Sequence, residues 1–297
     1  MLQAKNNRIH RTKGELIFLV FNTIFLSLVV FVTLYPMLFV LFASVSDNSL
    51  LSQHRGLLLW PQGFDLSAIG VVLNNKMVRT GYANTLFIIV VGVTINVLLT
   101  SVCAYFLSRD KLPLQKLVSR MIVFTMFFGG GLVPFYLIVQ DLGMLNSIWA
   151  LILPVAMDTY NMLIMRSYFM SLPNSLEEAA KIDGAGHVTI LFKIFLPICL
   201  PVLAVMVLYY GVGHWNSWFN AMIFVRKKEL YPLQLVLREI LIQNQMSDLI
   251  TSDADRMRVS GTIQYATIVV STLPIMIAYP FAQKWFIKGM LVGSLKE

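Results

Sequence analysis

The sequence predicts an all-α membrane protein with six spanning helices, and three observations carry that reading. The chain is 57% hydrophobic and only 13% charged, whereas a soluble domain carries about 25% charged residues. Six apolar runs approach or exceed the roughly 20 residues that a spanning helix needs. The runs are solid rather than alternating, so they lack the dyad pattern of a membrane β-barrel. Backbone groups in hydrocarbon have to pair within their own segment, which leaves helices.

The elements follow in order. Residues 1–15 form a basic N-terminal segment, expected in the cytoplasm, and residues 16–290 the membrane domain, with a short cytoplasmic tail expected at 291–297. The first run, 16–44, exceeds the ~7–15-residue core of a cleaved signal and reads as a retained helix. A loop at 45–83 follows, whose Trp60, Pro61 and Phe64 suit the headgroup level. The second run covers 84–108. The third, 117–139, is interrupted by Gly129-Gly130-Gly131 and Pro134, and irregular backbone at membrane depth is tolerated where it lines a cavity or packs. The fourth, 147–170, holds Asp158. The fifth covers 197–225, a loop takes 226–261, and the sixth covers 262–287.

Basic residues set the orientation. With both termini in the cytoplasm, the short turn carrying Arg109, Lys111, Lys116 and Arg120 and the basic tail lie inside, as the positive-inside rule favours. The net charge of +8 is therefore better explained by membrane flanks than by nucleic-acid binding. Cys103 and Cys199 sit inside apolar runs, which argues against a disulfide framework. The four histidines have no metal-ligand spacing, and no Gly-rich phosphate loop is present. If ATP drives this chain, another chain supplies the ATPase.

One stretch breaks the apolar pattern: SLEEAAKIDGAGHVTILFKIFLP, residues 175–197. Ser175 and Glu178 fit a capping box that starts a helix. Asp183-Gly184 stops it, since glycine tolerates the left-handed turn of a helix end. A second helix carries Val188, Leu191, Phe192 and Phe195 on one flank. Pro197 reads as the first turn of the next span, where a missing N–H costs nothing. Small residues would let a partner approach closely, and Glu178 and Asp183 offer it charge.

That stretch resembles the EAA loop of ATP-binding-cassette (ABC) importer permeases: Glu178-Ala179-Ala180, Gly184, Ile194 and Leu196-Pro197 occupy every fixed position of the pattern. The six-run layout and GHWNSWFNAMIFV look like carbohydrate-uptake permeases of the maltose-importer class. The stretches LSQHRGLLLWPQGF and YPLQLVLREIL look like its polysaccharide-fragment subgroup, which takes up alginate or pectin fragments. The resemblance implies a type I ABC importer permease fold in the bacterial inner membrane, with no catalysis and no cofactor on this chain. It implies a second permease, two ATPases that hold ATP and magnesium, and an extracytoplasmic solute-binding protein. Glu177, Glu178, Ala179, Ala180, Asp183, Gly184 and Ala185 would then form the helix that docks on an ATPase.

Candidates for the pore are Asp158, Asn161, Trp215, Asn216 and Trp218. An ionisable group inside a span is functional by default, and aromatic faces beside amides suit sugar rings. The alternatives are a carboxylate at a hydrated cavity rim, or one paired with Asn161 or the partner permease, and aromatics that simply pack beside Gly211, Gly213 and Ser217. In the 226–261 loop, Leu233, Val236, Leu237, Ile240 and Leu241 fall at helical spacing. The resemblance implies that Tyr231, Gln234, Arg238, Gln243 and Gln245 mark where a binding protein would dock. Rival readings are a permease for a non-sugar solute, an ion-coupled secondary transporter that would need more intramembrane charge than Asp158, and a receptor or scaffold that would not need the EAA stretch.

Overall fold

The computed structural model of the chain describes residues 12–109, 114–242 and 261–294. Among these the regular structure is helical, with one isolated antiparallel bridge between Ser46 and Phe64. The helices are α1 (Lys13–Ser44), α2 (Asn48–Gln53), α3 (Ser67–Asn74), α4 (Lys76–Leu107), α5 (Gln115–Phe127), α6 (Leu132–Asp141), α7 (Trp149–Ile152) and α8 (Thr159–Ser171). They continue as α9 (Asn174–Ile182), α10 (His187–Ile198), α11 (Leu200–Trp215), α12 (Phe219–Phe224), α13 (Leu233–Ile242) and α14 (Ile263–Ser294).

The chain divides into two compact units. The described part of the first covers 12–69 and 261–269. α1 opens on a capping box that the sequence pattern Thr12-x-x-Glu15 encodes: the Thr12 hydroxyl accepts from Glu15 N–H, and the Glu15 carboxylate accepts from Thr12 N–H at 2.9 Å. Only Ala43 and Ser44 of this helix are buried. A helix that is apolar all round and uncovered by protein suits a lipid surround. Beyond it, Asp47 caps α2 through the N–H groups of Ser49 and Leu50. Leu58 is fully buried and donates its N–H to the Tyr35 hydroxyl at 3.1 Å. Trp60 and Phe64 stay exposed, as headgroup-level aromatics would.

The second unit is built on α4, which packs against α8, α11 and α13. Its main core joins Met162, Met165 and Phe169 of α8 to Ile190 and Phe195 of α10 and Met206 of α11, all fully buried or nearly so. A second cluster joins Ile88 of α4, α7, Phe224 of α12 and Leu235 of α13.

Among the described residues, two helices are long and apolar enough to cross a bilayer outright, α1 and α4, each of 32 residues. At ~1.5 Å per residue each is near 48 Å long, against a hydrocarbon core of ~30 Å. α4 starts at Lys76 rather than at 84, because the Asn75 side chain caps the N–H groups of Met77 and Val78.

The third, fourth and fifth apolar runs are not single helices. The third breaks at the glycines, where α5 and α6 meet at 117°. The fourth leaves its helix after Val155 and resumes at Thr159. The fifth does not start at Pro197. Pro197 lies in the last turns of α10, the chain bends by 86° at Cys199, and Pro201 takes the first turn of α11. A second proline four residues on would remove a helical hydrogen bond and clash with the preceding turn, so the helix restarts. α11 ends at Trp215, and α12 restarts at Phe219. α14 is a continuous helix despite Pro274 and Pro280.

Candidate functional site

The EAA stretch folds as two helices around a tight turn. Leu172, forced towards an extended conformation by the proline after it, has ψ 143° and ends α8. α9 then begins immediately after Pro173 with no side-chain cap. The expected capping box is therefore not made. Ser175 lies inside the first turn instead of before it, and Leu176 N–H bonds Pro173 O at 3.2 Å. The end of α9 is as expected. Gly184 has φ +79°, with its N–H on Lys181 O and Ala185 N–H on Ala180 O at 2.9 Å, the paired bonds of a Schellman stop. Nothing lies within 4 Å of the place a Cβ would take there, so glycine is required by the backbone and not by space.

The faces of α9 divide the candidate residues. Glu178, Ala179, Asp183 and Gly184 are exposed, Glu177 and Ala185 half-buried, and Ala180 buried. Ile182 and Val188 are 86% and 72% exposed, two apolar side chains on otherwise polar ground. α10 corrects the expected flank: Ile190, Leu191 and Phe195 are buried, whereas Val188 and Phe192 face out. Residues 190–195 form a π-helical turn, and its wider turn brings Ile190 and Phe195, five apart, onto one face.

Glu177 holds two cations. It forms an ion pair with Arg109, just past the end of α4, and another with Lys181 at 2.6 Å. Burial pushes the Glu177 carboxyl up, but the hydrogen bonds and charges of Lys181 and Arg109 outweigh it and hold its pKa below the usual carboxylate value.

The pore candidates lie elsewhere. Asp158 is exposed and acts as the N-cap of α8, its carboxylate accepting from Asn161 N–H at 2.8 Å. The backbone around it is held by α4 and α11 in two parallel rungs. Asn96, fully buried, donates to Val155 O at 2.8 Å and pairs with His214 Nε2 at 2.7 Å. One turn along, Thr100 pairs with the Tyr210 hydroxyl at 2.7 Å, and Asp158 N–H donates to that hydroxyl at 3.1 Å. Backbone groups shielded from water at such a break need partners, and Asn96 and Tyr210, each paired with a second side chain, supply two. Sequence reading passes over Asn96, Thr100 and Tyr210, and expects His214 to be a hydrogen-bonded structural residue. Their signal is the matched four-residue spacing, Asn96 with Thr100 and Tyr210 with His214, on two apolar helices.

Trp215 is buried against Tyr82, with ring centroids 6.4 Å apart, and its Nε1 has no partner among the described residues. Asn216 is exposed and its amide returns to Val212 O at 3.1 Å. Trp218 lies under the Arg238 guanidinium, 3.8 Å from ring centroid to Cζ. That stack joins a pore candidate to a docking candidate. α13 buries Leu233, Val236 and Ile240 as expected, together with Leu235, while Leu237 and Leu241 are half-buried. It rests on α4: Leu233 N–H bonds the Thr85 hydroxyl at 2.9 Å, and Asn84 donates to Glu229 O and Tyr231 O. Tyr231 and Gln234 are half-buried beside it. Gln243 and Gln245 lie outside the described residues. No cluster of His, Cys, Asp and Glu suited to a metal occurs among the described residues.

No family model matches the chain. It is 37% identical over 297 residues to Protein LplC of Bacillus subtilis, across 99% of both chains. It is 36% identical to the polygalacturonan/rhamnogalacturonan transport system permease protein YtcP of the same organism, over 92% of this chain and 96% of that one. Its fold superposes with a TM-score of 0.86 on a chain from the crystal structure of a bacterial ABC transporter involved in the import of the acidic polysaccharide alginate. That likeness comes at 33% identity, over 94% of this chain and 99% of that one. The chain belongs to the ABC-importer permeases of the carbohydrate-uptake class. As such a permease it is a non-catalytic, membrane-embedded subunit of a multi-chain importer, and the ATP chemistry falls to other chains.

Proposed function

We propose that this permease is one of two that together form the pore of an importer for oligosaccharides released from acidic polysaccharides. The observation that carries the coupling role is the exposed face of α9 and the turn after it. Glu178, Ala179, Ile182, Asp183 and Gly184 stand clear of the rest of the chain on a rigid two-helix elbow. An ATPase that grips this face moves α9 as a body, and α10 carries the movement to α11 through the 86° bend. Support for an acidic cargo comes from the relatives, one named for polygalacturonan and one for alginate.

In this reading α1, α4, the α5–α6 pair, α7 with α8, α11 with α12, and α14 make six crossings, with both termini and the elbow in the cytoplasm. Two ATPases bind below and a solute-binding protein docks above, near Tyr231, Gln234 and Arg238. Asp158, Asn161, Trp215, Asn216 and Trp218 are the pore candidates, of which Asp158 and Asn216 are exposed and Trp215 is buried.

The test is purification of the native complex, followed by ATPase assays in nanodiscs with pectin, alginate and starch digests. Stimulation by the pectin or alginate digest, with an ATPase and a second permease recovered, supports the reading. Stimulation by the starch digest alone moves the cargo to neutral sugars. Transport by the isolated chain without ATP would sink it.

A further inference from the structure

We propose that the ion pair between Arg109 and Glu177 is the fastening through which movement of α9 reaches the spanning helices, leaving Glu178 as the glutamate that meets the ATPase. This assignment rests on the reading of α9 as the coupling helix. It adds a division of labour between two adjacent acids, one of which, Glu177, is not part of the EAA pattern.

α9 has little else to hold it. Ala180 is its one buried residue, and an alanine offers a single methyl to the core. The bond from Lys181 to Glu177 runs within the helix and cannot tie it to anything. Arg109, by contrast, touches four elements. Its Nε donates to Ser108 Oγ at 3.0 Å at the end of α4, and one terminal nitrogen reaches Phe169 O of α8 at 3.4 Å. The guanidinium lies over the rings of Tyr105 and Phe195, with Cζ 5.4 and 5.0 Å from their centroids. Its remaining nitrogen pairs with Glu177. Both side chains are largely shielded, at 11% and 13% exposure, where charge-assisted bonds count for more than on an open surface.

Arginine suits this place because its planar fork can stack on aromatics while donating in several directions, which a lysine ammonium cannot do. The partners also lie at the right places. Tyr105 and Ser108 end α4, and Phe195 lies in the π-helical turn that leads into the bend before α11. A pull on Glu177 is delivered at once to the ends of α4 and α8 and to the root of α11. Glu178 makes none of these contacts and is exposed.

The experiment compares the complete importer, reconstituted in liposomes with its binding protein, across Arg109→Gln, Glu177→Gln, Arg109→Lys, the swap Arg109→Glu with Glu177→Arg, and Glu178→Gln. A mixed pectin and alginate digest is the probe. Three quantities are read: ATPase subunits retained on purification, ATP hydrolysed, and saccharide imported per ATP. Arg109→Gln and Glu177→Gln are expected to keep their ATPases and hydrolyse ATP, with import per ATP reduced about tenfold. Arg109→Lys should lie between these and the wild type, and the swap should recover part of the loss, which a folding defect would not allow. Glu178→Gln should weaken ATPase retention instead. Wild-type import per ATP in Glu177→Gln would overturn the assignment, as would loss of ATPases from Glu177→Gln equal to that from Glu178→Gln. If Glu178→Gln and Gly184→Val both retain ATPases and import normally, the coupling reading itself fails, and the assignment with it.

Discussion

The two interruptions at 128–131 and 156–158 both lie in the larger unit, yet they are held in opposite ways. Around Asp158, the open backbone is bonded by Asn96 and Tyr210 from two other helices, and Asp158 caps the helix that follows. Around Gly129 and Gly131, a Cβ would meet no atom within 4 Å, and Phe127 and Phe128 beside them are 75% and 64% exposed. The first interruption is a finished structure within this one chain. The second is open, and its apolar surroundings suit lipid or another permease. A break in a helix therefore says little about its role until the partners of its backbone are counted.

The largest expected effect is at the finished break. Asn96→Leu removes the partner of His214 and of Val155 O at a site with no solvent access, at a cost of about 3 kcal/mol. Thermal unfolding in detergent reads it, and an unchanged Tm would mean that the rungs do not hold the break. Gly184→Val comes next. Open space surrounds this glycine, but φ +79° is forbidding to a β-branched residue, so a loss of about 2 kcal/mol is expected for the elbow. Hydrogen exchange across 174–198 would register it as faster exchange, and unchanged protection would remove the backbone argument.

Tyr210→Phe removes a single hydroxyl between Thr100 and Asp158 N–H and should cost about 1 kcal/mol. The double variant with Asn96→Leu tests whether the rungs act together, since separate contributions would simply add. Gly130→Ala is the mildest. A Cβ there meets only Pro134 Cβ at 3.8 Å, so the isolated chain should change by less than about 0.5 kcal/mol. If that variant nevertheless fails to co-purify with a second permease, the open break is covered in the assembly.

A pH series, read as the difference between the wild type and Glu177→Gln, isolates the elbow. The Glu177 carboxyl is held below its ordinary value by Lys181 and Arg109, despite burial. Its contribution to stability is thus complete above the unfolded-state value and is lost as pH falls through the depressed one. Unfolding of the wild type should lose stability relative to Glu177→Gln only in that acid window. A difference between them that is constant down through it would refute the ion pair as the cause.

Much of the elbow was legible because its determinants are local. Gly184 stops α9 by its backbone alone, and the EAA pattern locates the segment. The start of α9 was misread because Ser175 and Glu178 do satisfy a capping pattern, while Pro173, two residues earlier, already sets the boundary. A genuine capping box with the same spacing, Thr12 and Glu15, went unremarked at α1. The buried flank of α10 was misassigned because a 3.6-residue period does not apply to a π-helical turn.

By itself, then, the sequence determined where lipid-soluble helix can form and where the chain turns at Gly184, since hydropathy and backbone preference act over a few residues. Only the tertiary structure decided that Glu177 turns inward to Arg109 while Glu178 faces out, and that the fourth run opens around Asp158 without leaving Val155 O or Asp158 N–H unpaired. Those outcomes depend on residues 68 positions apart in one case and on side chains from two other helices in the other. No local pattern encodes such distances, because it is the packing of α4, α8 and α11 that brings these groups within hydrogen-bonding range.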